Sequence, residues 1–189
     1  MTQFLTSFLL VFLAEVADKT MLLTLSLSAK IKKVNLILGI MIASATVMLI
    51  PSLLGNWITT ILPRASLVLA SGLLFLMIGF FYLFEKNEEE EKTFKLPEFL
   101  TVFLIFFISE IGDKTQITAF SISINSKEFL GIWLGSTLGM FLPNLIISII
   151  GSSILPKLNQ KILKYIVSFI FIAIGTFTLL EYFGVIQWW

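Results

Sequence analysis

The stretch FLTSFLLVFLAEVADKT at residues 4–20 occurs again as FLTVFLIFFISEIGDKT at residues 99–115. Each copy places a glutamate, an aspartate and a lysine behind a long run of mostly apolar residues. A charge inside a bilayer costs about 2.5–3.5 kcal/mol on insertion scales, so intramembrane charges are candidates for function. The same charged group at the same position in two copies predicts a membrane protein built from two related halves.

The composition also predicts a membrane protein. Of the 189 residues, 57% are hydrophobic and 13% are charged, whereas soluble domains average about 25% charged residues. A soluble chain of this length has too little interior to bury so much apolar surface. The composition therefore excludes an ordinary soluble enzyme, a nucleic-acid-binding protein and a disordered chain. The absence of cysteine and histidine excludes disulfides, cysteine nucleophiles and the usual ligands of zinc and copper.

Apolar runs of roughly 20 residues, the length that spans a bilayer as a helix, divide the chain into six predicted spans. They cover about residues 3–29, 35–57, 66–84, 98–125, 129–150 and 163–183. We therefore predict an all-α integral membrane protein with three spans in each half, residues 1–85 and 98–189. Because three is odd, the second half is inverted relative to the first, an architecture typical of transporters. Residues 86–97 form an acidic linker between the halves.

Lysine and arginine in the loops predict the orientation of the chain, because these residues concentrate on the cytoplasmic side. Nine of them follow spans one, three and five, whereas only Arg64 and Lys127 lie in the loops on the other side. The acidic linker is then cytoplasmic, and both termini are extracytoplasmic. The first span lacks the basic start and the cleavage site of a signal peptide, so we expect it to be retained.

The ionisable residues inside the predicted spans form the candidate functional site. They are Glu15, Asp18, Lys19, Glu110, Asp113 and Lys114. In a continuous helix the glutamate and aspartate of each copy share one face, and the lysine four residues after the glutamate can pair with it. Carboxylate oxygens are hard ligands that suit Ca²⁺, Mn²⁺ or Mg²⁺. Because carboxylates also carry protons, one site could alternate between a divalent cation and protons, with the lysines balancing charge.

Weaker polar signals lie near these charges or deep in other spans. Gln116 extends the carboxylate face of the second copy, while Thr20 and Thr115 offer hydroxyl oxygens. Gly112 either lets a backbone or a ligand approach closely or allows a local break in the helix. Asn144 follows a proline in span five, and such a proline kinks the helix, acts as a gating hinge or frees a backbone carbonyl as a ligand.

The doubled motif resembles that of the GDT family of cation/proton exchangers, which carry two copies of Glu-hydrophobic-Gly-Asp-Lys/Arg-Thr/Ser in a six-span protein. Two positions differ, because Ala17 replaces the family's glycine and Met21 stands where glutamine often follows. The resemblance implies a prokaryotic inner-membrane exporter of Mn²⁺, or of Ca²⁺, in exchange for protons. It also implies the residues of the cation site, namely Glu15, Asp18, Glu110 and Asp113, with Thr20, Thr115 and Gln116 nearby. The cation is cargo, and no cofactor is expected.

Three other functions are alternatives for a chain with intramembrane charges. A transporter of another small substrate, such as an amino acid or Na⁺, could use Lys19 or Lys114 to bind a substrate carboxylate. A structural membrane protein would use the charges only as buried salt bridges, although buried ion pairs stabilise poorly. An intramembrane aspartyl protease also needs two aspartates, but its Tyr-Asp and Gly-x-Gly-Asp signatures are absent. We therefore expect a transporter in a lipid bilayer, not an enzyme, and no nucleic-acid partner.

Overall fold

The computed structural model describes residues 2–16, 18–84, 96–154 and 160–184. Within these ranges the regular elements are α-helices and no strand occurs, which confirms the predicted all-α class. In chain order they are α1 (Thr2–Glu15), α2 (Lys19–Ser28), α3 (Lys33–Ile58), α4 (Arg64–Phe84), α5 (Glu98–Glu110), α6 (Lys114–Ser123), α7 (Phe129–Ile154) and α8 (Gln160–Tyr182). Most of the predicted acidic linker, residues 86–97, and Ala17 of the first motif lie outside the described residues.

Four of these helices contain segments that are long and apolar enough to cross a membrane. The segments are Lys33–Ile58, Arg64–Phe81, Phe129–Ile150 and Tyr165–Tyr182. Two of the helices, α3 and α7, continue through an internal proline, Pro51 and Pro143 respectively. Large apolar side chains such as Leu53, Phe81 and Phe169 are exposed, which is unfavourable in water and favourable in lipid. The fold is therefore that of a helical, multi-pass membrane protein.

The two motif segments are broken helices, whereas we predicted continuous spans at residues 3–29 and 98–125. The first predicted span is divided into α1 and α2, and the second is divided into α5 and α6. Each of these four helices is shorter than the roughly 20 residues that a single helix needs to cross a bilayer. A break in the middle of a membrane segment leaves backbone groups without their helical partners, so it requires compensation from neighbouring elements.

The chain leaves the helical conformation inside each motif. After α5 ends at Glu110, Gly112 takes a φ of +77°, in the left-handed region, and Asp113 takes an extended backbone before α6 begins. The backbone N of Asp113 donates to Glu110 O over 3.2 Å, and that of Asp18 donates to Glu15 O over 3.1 Å. Both breaks thus contain the same backbone hydrogen bond between the aspartate and the glutamate three residues before it. The predicted single helical face for each glutamate and aspartate is wrong, because each aspartate instead precedes a new short helix.

Each broken segment lies along a long helix from the other half of the chain. Helix α1 packs along α7, and α5 packs along α3. At Gly139 of α7 an added Cβ would lie 2.7 Å from the backbone oxygen of Phe8, so this close approach of α1 requires glycine. At the beginning of α3 and α5, Asn35 Nδ2 donates to Glu98 Oε2 over 2.6 Å.

The second helix of each broken segment continues along the same long helix. Ser123 Oγ of α6 donates to Ser52 O of α3 over 2.8 Å, and Met21 of α2 packs against Ile147 of α7. Helices α3 and α7 also pack against each other, which brings the two breaks together in the bundle. Helices α4 and α8 form a further pair, and α4 also contacts α6. The fold therefore places the motif residues of both halves in one buried region.

Candidate cation site

Three of the four motif carboxylates lie together where the two breaks meet. One carboxylate oxygen from each of Glu15, Asp18 and Glu110 lies within 4.8 Å of the others. Glu15 and Glu110 have no exposed surface, and Asp18 is 2% exposed. Carboxylates this close together repel one another unless a cation or protons are bound. The cluster is therefore a candidate site for a divalent cation.

In each of the two glutamates, one carboxylate oxygen accepts hydrogen bonds from described residues and the other does not. Glu15 Oε1 accepts from Thr20 Oγ1 over 2.5 Å and from Asn144 Nδ2 over 2.6 Å. Glu110 Oε2 accepts from Thr115 Oγ1 over 3.0 Å. The buried oxygens Glu15 Oε2 and Glu110 Oε1 have no hydrogen-bond partner among the residues that the structure describes. Because a buried acceptor without a partner is unfavourable, these two oxygens are suited to bind a cation.

Lys114 joins the second motif to the first. Its Nζ lies 2.6 Å from Asp18 Oδ1 and 3.8 Å from Asp113 Oδ2. We expected Lys114 to pair with Glu110 on a continuous helix, whereas these ion pairs join it to the two aspartates. The helix break accounts for the difference, because α5 ends at Glu110 and α6 begins at Lys114. The two residues are therefore not on the same face of one helix. The side chain of Lys19, the other predicted charge-balancing residue, lies outside the part that the structure describes.

Asp113 does not belong to the group that the other three predicted site carboxylates form, although it shares Lys114 with Asp18. Among the described residues, the group of carboxylate oxygens within 4.8 Å of one another comprises Glu15, Asp18 and Glu110. Asp113 instead lines a cavity of about 400 Å³ next to α4 and the beginning of α6. The other lining residues are Met77, Ile78, Phe81, Phe84, Gly112, Lys114 and Ile117. Since Lys114 also contacts Asp18, the cavity adjoins the carboxylate cluster.

Gln116 contacts the break of the second motif. Its Oε1 accepts from the backbone N of Gly112 over 3.0 Å, and its Nε2 donates to Val47 O of α3 over 3.2 Å. Both ends of the amide are thus engaged with backbone groups. This predicted site residue therefore compensates a backbone donor that the break releases, and it ties α6 to α3.

Asn144 of α7 contacts the site, although the sequence assigned it no role. The side chain has no exposed surface, its Nδ2 donates to Glu15, and its Oδ1 accepts from Thr24 Oγ1 over 2.7 Å. The sequence signal was a single amide within an apolar span. Its partner Glu15 lies 129 residues earlier, so local patterns of residues could not connect the two.

Fold and site together define a class of protein. Clustered carboxylate oxygens are the ligands that a hard cation prefers, and broken helices inside a membrane bundle are typical of secondary transporters. The class is that of ion-transporting membrane proteins. A family model described as "Divalent cation/proton antiporter GDT1" matches residues 3–90 and 98–185. The chain belongs to this family, which confirms the resemblance seen in its doubled motif.

Individual relatives from bacteria and plants are similar over most of the chain. A Vibrio cholerae protein named "Putative manganese exporter" is 30% identical over 171 residues, which cover 89% of this chain and 86% of that protein. A Synechocystis protein named "GDT1-like protein sll0615" is 23% identical over 100% of this chain and 98% of its own. The chloroplastic GDT1-like protein 1 of Oryza sativa is 27% identical over 95% of this chain and 62% of its own. No solved structure matches the chain.

Proposed function

We propose that the protein is a secondary active transporter that exports a divalent cation from the cytoplasm in exchange for protons. The observation that carries this proposal is the buried cluster of Glu15, Asp18 and Glu110, with its two glutamate oxygens that have no described hydrogen-bond partner. Membership in a family of divalent cation/proton antiporters supports the choice of the two ions. The proposal needs no enzymatic step and no resident cofactor.

The motif carboxylates and Lys114 have distinct roles in this proposal. The cation binds to one oxygen each from Glu15 and Glu110, and to Asp18. Without the cation, the ammonium of Lys114 balances the charge of Asp18. Asp113 lines the adjoining cavity and is the carboxylate that the cation meets on its way between the cavity and the cluster.

The remaining polar residues of the motifs support the cluster. Thr20 and Thr115 donate hydrogen bonds that orient the two glutamates. Gln116 holds the break of the second motif in its shape. Lys19 is a second charge-balancing residue in the proposal, on the basis of the doubled motif.

The six-span arrangement as two inverted three-helix halves is part of the proposal. Each half has one broken span followed by two long helices. The pairing of α1 with α7 is matched by that of α5 with α3, which is what exchange of the two halves would produce. Close contacts of Gly72 with Leu179 and of Gly79 with Ile172 mean that α4 and α8 run antiparallel, as inversion requires. Rocking of such halves would expose the central site to each side in turn.

The membrane and orientation follow from the relatives and from the loop charges. We place the protein in the prokaryotic cytoplasmic (inner) membrane, since a similar Vibrio cholerae protein is named as an exporter. The nine lysines after spans one, three and five place those loops in the cytoplasm and both termini outside it. In this orientation Phe84, at one end of the cavity-lining part of α4, lies near the cytoplasmic side.

Mn²⁺ is the proposed cargo and Ca²⁺ the alternative. The site is rich in oxygen ligands, which suit both ions, and the sequence contains no cysteine or histidine for softer metals. The name of the Vibrio cholerae relative favours manganese. An amino acid or Na⁺ as substrate, or a purely structural role for the buried ion pair, would each give a different result in the experiment below.

The experiment uses purified protein in liposomes that contain a Mn²⁺-sensitive dye. When the lumen is more acidic than the outside, protons that leave should drive Mn²⁺ inward, and collapse of the pH gradient should stop the uptake. Glu110→Gln removes one cluster ligand and should abolish uptake. Glu128→Gln changes an exposed glutamate outside the cluster and should leave uptake unchanged.

Three results would contradict the proposal, each in its own way. Flux of Na⁺ or an amino acid without flux of Mn²⁺ or Ca²⁺ would indicate a different substrate. Absence of any flux from correctly folded protein would indicate a structural role for the buried charges. Unchanged Mn²⁺ uptake by Glu110→Gln would mean that the carboxylate cluster is not the transport site.

A further inference from the structure

The polar atoms of the Asn144 side chain are all engaged. Nδ2 donates to Glu15 Oε1 over 2.6 Å and to Met140 O over 3.1 Å, while Oδ1 accepts from Thr24 Oγ1 over 2.7 Å. A reversed amide would place its oxygen against two acceptors, so this network fixes the orientation in which the nitrogen contacts Glu15. Because Asn144 has no exposed surface, it has no alternative partner in bulk water.

This contact restricts the way in which Glu15 can bind a cation. Glu15 Oε1 accepts from both Asn144 and Thr20, and a carboxylate oxygen has two lone pairs to offer. Glu15 Oε2 is buried without a hydrogen-bond partner among the described residues. A cation in the cluster therefore meets one oxygen of Glu15. Binding through both oxygens would require displacement of a hydrogen bond to Oε1.

The second motif has no matching amide within the described part of α3. Glu110 Oε2 accepts from Thr115, a residue of its own motif. When the halves are aligned on Gly39 with Gly135 and Gly55 with Gly151, Met48 occupies the position of Asn144. A methionine thioether cannot donate a hydrogen bond. The amide is therefore a feature of one half, and repetition of the motif does not account for it.

We infer that Asn144 is a specificity-determining residue that keeps Glu15 as a one-oxygen ligand and thereby favours Mn²⁺ over Ca²⁺. The inference rests on the proposed function, because it concerns the same cluster. Ca²⁺ takes about six to eight oxygen ligands and often binds a carboxylate through both oxygens. A smaller divalent cation is satisfied by about six ligands in octahedral geometry. A cluster in which Glu15 offers only one oxygen therefore suits the smaller cation better.

The test compares the affinities of Mn²⁺ and Ca²⁺ for the native protein and for Asn144→Ala. Each purified protein is dialysed to equilibrium against radioactive Mn²⁺ or Ca²⁺, and the ratio of the two dissociation constants is the readout. Without the amide, Glu15 Oε1 can join the cation, so the ratio should move toward Ca²⁺. We expect a change of about tenfold, the lower end of the effect on metal affinity when an orienting partner is lost. The ratio of KM values for uptake into liposomes should change in the same direction.

Two further variants separate specificity from folding. Asn125→Ala removes an amide that donates to Ser121 O, outside the cluster, and should leave the ratio unchanged. Thr24→Val removes the donor to Asn144 Oδ1, so the amide is held less firmly and the ratio should move toward Ca²⁺ by about threefold. This variant decides the question if Asn144→Ala does not fold.

The outcomes distinguish the inference from the proposed function. If the variants of Asn144 and Thr24 weaken binding of both cations equally, the amide only supports the fold and the inference is wrong. If the native protein prefers Ca²⁺, the inference is also wrong, while cation transport stands. If the native protein binds neither cation, the proposed function itself fails.

Discussion

The ammonium of Lys114 lies 2.6 Å from Asp18 Oδ1, so a cation of the second motif neutralises a carboxylate of the first. The two side chains are 8% and 1% exposed, which leaves little water to solvate either charge. The motifs are thus one electrostatic unit, although the sequence presents them as two copies. A metal cation that binds to Asp18 must compete with this ammonium.

Removal of the ammonium should destabilise the protein. Lys114→Met breaks the buried ion pair with Asp18, and we expect a loss of about 3–5 kcal/mol in the free energy of unfolding, which is typical of such a change. The measurement is thermal unfolding in detergent. Lys127→Met, which changes an exposed lysine, should unfold like the native protein. The double variant Asp18→Asn/Lys114→Met should recover most of the stability but should not transport. If the stability is not recovered, the broken pair with Asp18 is not the reason for the loss.

Neutralisation of Asp113 should separate binding from transport. Glu15→Gln, Asp18→Asn and Glu110→Gln each remove a ligand of the cluster, so Mn²⁺ binding and transport should both be lost. Asp113→Asn changes a residue of the adjoining cavity, so it should abolish transport while binding to the cluster remains measurable. Equilibrium dialysis and liposome uptake measure the two properties. Loss of binding in Asp113→Asn would place this carboxylate among the direct ligands.

The loss of stability on substitution of Gly112 should depend on how well the new residue tolerates a left-handed backbone, and not on the size of its side chain. An added Cβ would have no neighbour within 4 Å, so Gly112→Ala should cost about 1–2 kcal/mol from the left-handed backbone alone. Gly112→Asn should cost less, because asparagine tolerates this conformation. As a matched control, Gly131→Ala places a Cβ at ordinary contact distance within a helix and should be neutral or stabilising. Equal effects of Ala at both positions would contradict the strain at Gly112.

Cysteine labelling should report the predicted orientation, since the native chain has no cysteine. Thr60 lies in the loop between α3 and α4, and Lys32 directly precedes α3; both are exposed. An impermeant thiol reagent added to intact cells should modify Thr60→Cys and should reach Lys32→Cys only after the membrane is permeabilised. The reverse pattern would invert the topology.

Exchange should carry little net charge. The two motifs contain four carboxylates and two lysines, so their empty, deprotonated form is doubly negative. One divalent cation or two protons would neutralise it, and a low-dielectric site favours neutral states. We therefore expect one cation to exchange for two protons. In liposomes whose voltage is clamped with potassium and valinomycin, uptake driven by a pH gradient should be nearly independent of voltage, and strong voltage dependence would exclude this stoichiometry.

The class of protein, its family and the chemical nature of the site could be predicted from the sequence. Hydropathy and charge act locally, so an apolar run with a carboxylate at its end indicates an intramembrane charge without knowledge of the fold. The repetition of Glu15 and Asp18 as Glu110 and Asp113 then identified the segments that matter. Composition alone excluded cysteine thiolate and histidine imidazole as ligands.

The geometry of the site could not be predicted, because it depends on the helix breaks and on contacts between distant residues. A regular helix would have put Glu110 and Lys114 on one face, whereas the turn at Gly112 separates them. Asp113 and Asp18 occupy equivalent positions in the sequence, yet only Asp18 belongs to the described carboxylate cluster. The two aspartates thus have different surroundings despite the repeated sequence. Asp113 lies beside a cavity where α4 packs against α6.

The hydrogen bond between Asn144 and Glu15 has a consequence for biosynthesis. The ribosome makes Glu15 129 residues before its amide partner, and Asp18 likewise precedes Lys114, so the first pair of carboxylates reaches the membrane before either partner has been synthesised. Until α6 and α7 emerge, the first segment carries charges that lipid solvates poorly. The nascent first half should therefore stay beside the insertion machinery, and a chain truncated after α4 should be a preferred substrate for membrane proteases.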